Sequence, residues 1–82
     1  MSFREENYAI WLSTSSNIST KAQRDLISRL RRADKLAQLD NFASLEDHKI
    51  AMCNASDWHT LPKKSQDSVL AAARKYYGWL NA

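Results

Sequence analysis

Between positions 20 and 37 the run TKAQRDLISRLRRADKLA sorts its residues by chemistry only when it is wound as an α-helix. At about 100° per residue, Ala22, Leu26, Leu30, Ala33 and Ala37 fall within an arc of about 80°. On the same wheel Lys21, Arg24, Arg31, Arg32 and Lys35 gather within about 100° on the far side. A strand, whose side chains alternate between faces, would scatter both sets. Ile27 and Leu36 lie off the main apolar stripe, where they can pack against neighbouring elements. The segment therefore demands a helix with one apolar and one basic face, and a second layer to cover the apolar one.

The rest of the chain supplies that layer. One Gly and one Pro among 82 residues are too few turn formers for a β protein. Three Trp, three Tyr and two Phe give large apolar area to a core that is small at this length. Ser2 and Glu5 fit a capping box, so a first helix is expected to about Ser13, with Tyr8, Trp11 and Leu12 facing inward. Residues 13–19 (STSSNIS) favour local side-chain hydrogen bonds and read as a loop. Thr20 and Gln23 form a second capping box at the start of the long helix, which frays near residues 39–42. Ser44, followed by Glu46 and Asp47, marks a third helix to about Asn54, with Leu45, Ile50 and Met52 or Cys53 as inward candidates.

Leu61-Pro62 interrupts, because proline biases its predecessor away from the helical region. Ser65 then caps a last helix to Leu80, with Asp67 in its first turn. Val69, Leu70, Ala73, Tyr76, Tyr77 and Leu80 spread over roughly half its circumference, leaving Ala71, Arg74, Lys75 and Gly78 for solvent. The expected fold is a single all-α domain over residues 1–82, a compact orthogonal bundle of four to five helices. A lone cysteine, Cys53, implies no disulfide. No run approaches the roughly 20 apolar residues of a membrane span, and the N-terminus lacks a signal-peptide core. A soluble, cytoplasmic monomer with no membrane contact is the expectation.

A formal net charge of +3 hides a strong asymmetry. Residues 20–39 hold six basic and two acidic residues, whereas residues 40–57 hold four acidic and one basic. Residues 58–82 are basic again. A basic helix face can neutralise backbone phosphates, although many charge runs are merely solvated. The stripe of Arg24, Arg31 and Lys35 contains no acidic residue, and this favours an anionic partner over simple solvation.

Catalytic and metal chemistry find little support. The two histidines, His48 and His59, have no fixed relation to Cys53, and a Cys–His nucleophilic pair needs both within hydrogen-bond reach of one another. Cys53 reads as a core thiol and the imidazoles as surface groups. Cys53, Asp57 and His59 do not supply the four paired Cys/His ligands of a structural zinc site. No glycine-rich phosphate loop exists, and Glu5-Glu6 and Glu46-Asp47 suit helix N-termini. Neither a cofactor nor a metal is expected, and no enzymatic activity. Trp58 and Trp79 beside basic residues could stack on bases, but in so small a domain they more often close the core.

Three segments resemble a known family. Tyr8, Trp11 and Leu12 are similar to an aromatic-plus-leucine first helix; Ile18-Ser19-Thr20, followed by Leu26, Leu30 and the basic run, resembles a Ser–Thr helix start; SQDSVLAAARKYYGWL resembles a closing helix. The family is the SAM-like core-binding domain at the N-terminus of phage-integrase-type tyrosine recombinases. The resemblance covers most of the chain through short, degenerate motifs. It implies a helical module that clamps one side of a DNA duplex while a separate C-terminal catalytic domain carries out strand exchange. It also implies DNA contacts at Lys21, Arg24, Arg31 and Lys35, then at Lys63, Lys64, Arg74 and Lys75; Arg32 joins them from the basic face itself. The chain has no counterpart of the family's nucleophilic tyrosine or catalytic arginines, and the region around Pro62 matches least. The expectation is thus a double-stranded DNA-binding module in integration or recombination. The rival is a small phage- or plasmid-type adaptor or inhibitor whose basic face docks on an acidic protein surface.

Overall fold

A computed structural model describes residues 4–15 and 17–81. They form four α-helices: α1 (Glu5–Ser15), α2 (Thr20–Leu36), α3 (Leu45–Asn54) and α4 (Lys63–Leu80). Short 3-10 turns at Leu39–Asn41 and Ser56–Thr60 bracket α3. No strand occurs among the described residues. The protein is a small all-α bundle, 35 × 25 × 20 Å in extent. The expected cap at Ser2 lies outside the described residues.

Each helix boundary has a local cause. Ser13 and Thr14 were expected to open the chain after α1. Instead their hydroxyls donate back to the Ile10 carbonyl at 2.9 and 2.8 Å, and the helix continues to Ser15. The N-cap of α2 is Ser19 rather than Thr20. Ser19 is extended (φ −67°, ψ 160°), and its Oγ accepts the Ala22 N–H at 3.2 Å. The expected Thr20–Gln23 capping box is replaced: the Gln23 side-chain amide donates to the Ile18 carbonyl at 3.1 Å. Ala37 turns extended and ends α2, and Asp34 then accepts the Leu39 N–H at 3.0 Å.

Ser44 caps α3 as expected, accepting the Asp47 N–H at 3.3 Å. The last helix starts two residues before the expected Ser65 cap. Pro62 (φ −59°) is its flanking residue, and no side chain caps it. Proline's fixed φ already matches the helix, and the first N–H groups have no intrahelical acceptor in any case.

α2 and α4 run antiparallel along the most extensive helix seam of the bundle. One end of this seam is a cluster of Tyr8, Leu12, Leu30, Leu39, Ala72, Tyr76 and Tyr77, flanked by Leu26, Ile27, Trp79 and Leu80. The other end joins Ala33, Met52, Trp58, Val69 and Ala73, flanked by Leu36, Ala37, Leu61 and Leu70. Tyr8, Trp11, Tyr76 and Trp79 pack with ring centroids 5.3–6.4 Å apart, which lashes α1 to the end of α4. The Tyr77 hydroxyl donates to the Leu39 carbonyl at 2.8 Å in the interior, pinning the 3-10 turn after α2. The Tyr8 hydroxyl is also buried but has no hydrogen-bond partner among the described residues.

Two inward assignments are corrected in α3. His48, expected at the surface, is fully buried, and Ile50, expected inside, is 59% exposed. The helical period explains the exchange: His48 and Met52 are four apart and share one face, while Ile50 lies about 160° from Met52. The His48 Nε2 meets the Ala37 carbonyl at 2.7 Å, so that nitrogen carries the proton and donates. Phe42 and Tyr77 sandwich the ring at 5.6 and 5.5 Å, and Nδ1 is left without a partner. Burial holds the imidazole below its ordinary value, against smaller opposing effects of the Ala37 carbonyl and the Asp34 charge. His48 is thus a neutral core group that ties α3 to the end of α2.

Candidate nucleic-acid interface

The polar side of α2 follows from the helical period. With Leu30 and Ala33 fully buried against α4, the residues half a turn away must face water. Lys21, Arg24, Arg31, Arg32 and Lys35 are all exposed. Fourteen residues separate Lys21 from Lys35, so the row is about 21 Å long at 1.5 Å per residue.

Its cations are not equivalent. Arg31 reaches across to α1 and donates from Nε to the Glu5 carboxylate, which is the larger cause of its raised pKa. The sequence stripe seemed free of acid because Glu5 comes from another helix. No carboxylate of the described residues lies within ion-pair distance of Lys21, Arg24, Arg32 or Lys35.

Arg29 is a further cation of α2, outside the arc that holds the other five. It is exposed and shares a shallow concavity with Asp25, Ser28 and Arg32. Its offset of four from Asp25 and three from Arg32 places it at the edge of the row, and that spacing was the available signal. Asp25 sits on the same edge and tempers the field there.

The folded chain extends the row toward α4. A cleft of about 310 Å³ is lined by Arg32, Lys35 and Leu36 of α2 and by Asp57, Thr60, Leu61, Pro62 and Ser65 from the segment that leads into α4, so one carboxylate shares it with the two cations. Lys63 and Lys64, both exposed, lie between Pro62 and Ser65 in the chain and thus beside this cleft. Lys63 is within 3.4 Å of Asp67 one turn on, in a pair that water surrounds. The uncapped first turn of α4 also directs free N–H groups outward at this end, which favours negative charge nearby.

Arg74 and Lys75 do not belong to this group. They lie eleven residues beyond Lys63 and Lys64, about 16 Å further along α4. Arg74 is exposed, and Lys75 is half-buried rather than on the solvent strip. Of the nine expected contact residues, Arg32 and Lys35 stand at one end of the α2 row and Lys21 and Arg24 at the other, while Lys63 and Lys64 follow Pro62 of the cleft in the chain without lining it themselves. Arg31 is engaged by Glu5.

The aromatic candidates face inward. Trp58 is 7% exposed in the core, and Trp79 packs among Tyr8, Trp11 and Tyr76. Neither is free to stack on a base. Cys53 is half-buried and His59 exposed, with no hydrogen bond between them. Among the described residues, no three His, Cys, Asp or Glu side chains converge as metal ligands, and no helix is long and apolar enough to cross a membrane.

No family model, no curated protein and no solved structure matches the chain.

Proposed function

We propose that the protein is a non-catalytic module that grips double-stranded DNA through backbone phosphates, in the manner of the core-binding domain of a tyrosine recombinase. The observation that carries this reading is the 21 Å row of exposed cations on α2, in which Lys21, Arg24, Arg32 and Lys35 have no acidic partner among the described residues. At 3.4 Å per base pair, a row of about 21 Å parallels roughly six base pairs of one strand. Lys63 and Lys64 widen one end of the row, so that four to six phosphates are within the reach of its side chains.

Contacts of this kind position a protein without reading sequence. No aromatic residue belongs to the α2 row, so the row itself offers no platform for base stacking, and the grip is electrostatic. In this reading the catalytic step belongs to a separate domain, Arg74 and Lys75 are peripheral to the duplex, and the isolated module is a monomer.

The test is a mobility-shift titration on random duplex DNA at several salt concentrations. The logarithm of the affinity should fall linearly with the logarithm of salt, with a slope of about −4 to −5. Affinity that is unchanged between low and physiological salt contradicts the proposal. So does absence of duplex binding together with a 1:1 complex on an acidic protein, the behaviour of an adaptor.

A further inference from the structure

The α3 side of the molecule has the opposite character. Ile50 and Ile10 are the large apolar side chains that the described residues leave open to solvent, at 59% and 61%. Ile50 does not help to hold the fold, since His48 and Met52 occupy the inward face of α3. Glu46 and Asp47 lie one turn before Ile50 on the same outward side, and both are exposed. The only cation of α3, Lys49, is about 100° around the helix from Ile50.

Beside Ile50 runs a groove of about 520 Å³ between α3 and residues 41–43. Phe42, Ala43, Ile50 and Ala51 form its apolar wall, with Asp47 and Asn54 at its edge. The wall is anchored rather than loose, because the Phe42 ring packs edge-on against buried His48. Exposed Asp40 on the neighbouring 3-10 turn adds to the negative field of this side.

We infer that this groove is the docking site for a cationic amphipathic segment of a partner protein, an apolar anchor flanked by Lys or Arg. The anchor would sit against Phe42, Ile50 and Ala51 while its flanking cations meet Glu46 and Asp47. Charge complementarity selects this occupant: phosphates of nucleic acid or of an anionic membrane would be repelled by Asp47, which lines the groove, and by exposed Glu46 next to it in α3.

A second copy of the chain fits poorly as well. The other exposed isoleucine, Ile10, has Glu6 one turn before it, and the cationic face of α2 exposes no large apolar side chain. Neither Ile10 nor Ile50 has a basic residue one turn away on its own helix. The inference stands independently of DNA binding, because the groove and the α2 row share no residue.

The experiment is selection of a phage-displayed library of random 16-residue peptides on the immobilised full chain in physiological salt. Enriched peptides should carry net positive charge around an apolar anchor and bind 1:1. Ile50→Ser, a change at an exposed site that should leave helicity intact, should weaken them tenfold or more. Glu46→Gln combined with Asp47→Asn should weaken them several-fold and flatten their salt dependence. Mobility shifts with duplex DNA should be the same for Ile50→Ser as for the unaltered chain, which separates this site from the proposed DNA grip. The inference is overturned if no peptide is enriched, if the enriched peptides are acidic, or if they bind Ile50→Ser as tightly. It is equally overturned if sedimentation shows the chain associating with itself through this groove.

Discussion

α2 and α3 are both capped by a serine and both packed against α4, yet their outer faces are opposites. α2 presents a row of cations beside a clean apolar stripe. α3 presents two carboxylates and an isoleucine to water while it buries a histidine. The pattern of α2 is strongly periodic, so the inward face and the charged face imply one another. α3 is short and weakly patterned, and its orientation is chosen by what its neighbours need: a donor for the Ala37 carbonyl and a ring between Phe42 and Tyr77. A helix with strong periodicity announces its surface, whereas one with little periodicity receives its surface from the packing.

The comparison can be broken at several strengths. The largest effect is expected where α2 meets α4. Leu30→Ala should cost about 2–5 kcal/mol in chemical denaturation, because Leu30 is fully buried in the tyrosine-rich end of the core. Ile50→Ser, its α3 counterpart by sequence expectation, should change stability by less than about 0.5 kcal/mol. Equal losses at the two positions would reverse the assignment of faces.

The next effect tests the buried imidazole. Its folded pKa lies below 6.5 while the unfolded chain takes up its proton near 6.5, so the unfolded state binds more protons as pH falls. Stability should therefore drop below about pH 6.5, by at most about 1.4 kcal/mol per pH unit, until the folded-state value is reached. Above that pH His48 contributes no slope. In His48→Gln, which can still donate to Ala37, denaturation curves between pH 6.5 and 5 should lose this component. A slope that survives in the variant would place the titration elsewhere.

The smallest effects separate two buried hydroxyls. Tyr77→Phe removes the donor to the Leu39 carbonyl and should cost about 1–2 kcal/mol by thermal or chemical unfolding. Tyr8→Phe removes a buried hydroxyl with no partner and should be neutral or slightly stabilising. Comparable losses would mean that the Tyr8 hydroxyl also has an acceptor.

These contrasts mark how far the sequence could be read. The helical class, the α2 stripe, the Ser44 cap, the break at Leu61-Pro62 and the inward tyrosines of α4 were all legible, because each is a short-range pattern with a direct physical cause. Helix caps slipped by one residue at Ser19, where neighbouring hydroxyls compete for the same cap, and by three at Pro62, whose fixed φ lets α4 start without a side-chain cap. The Arg31–Glu5 pair was invisible, since the partners are 26 positions apart and meet only when α1 docks. The exchange of His48 and Ile50 was invisible for a related reason: hydrophobicity favoured isoleucine inside, and a long-range hydrogen bond favoured histidine. The cleft joining Arg32 and Lys35 to the start of α4 likewise exists only because α2 and α4 run antiparallel.

The claim that the α2 row grips DNA while the α3 side stays free is tested most directly by amide NMR of the labelled chain titrated with a 16-base-pair random duplex in low salt. Shifts should be confined to Lys21, Arg24, Arg29, Arg32, Lys35 and the Lys63–Lys64 end of α4, and be reversed by added salt. Residues 46–54 should hold still. Shifts centred on α3, or none on α2, would contradict it.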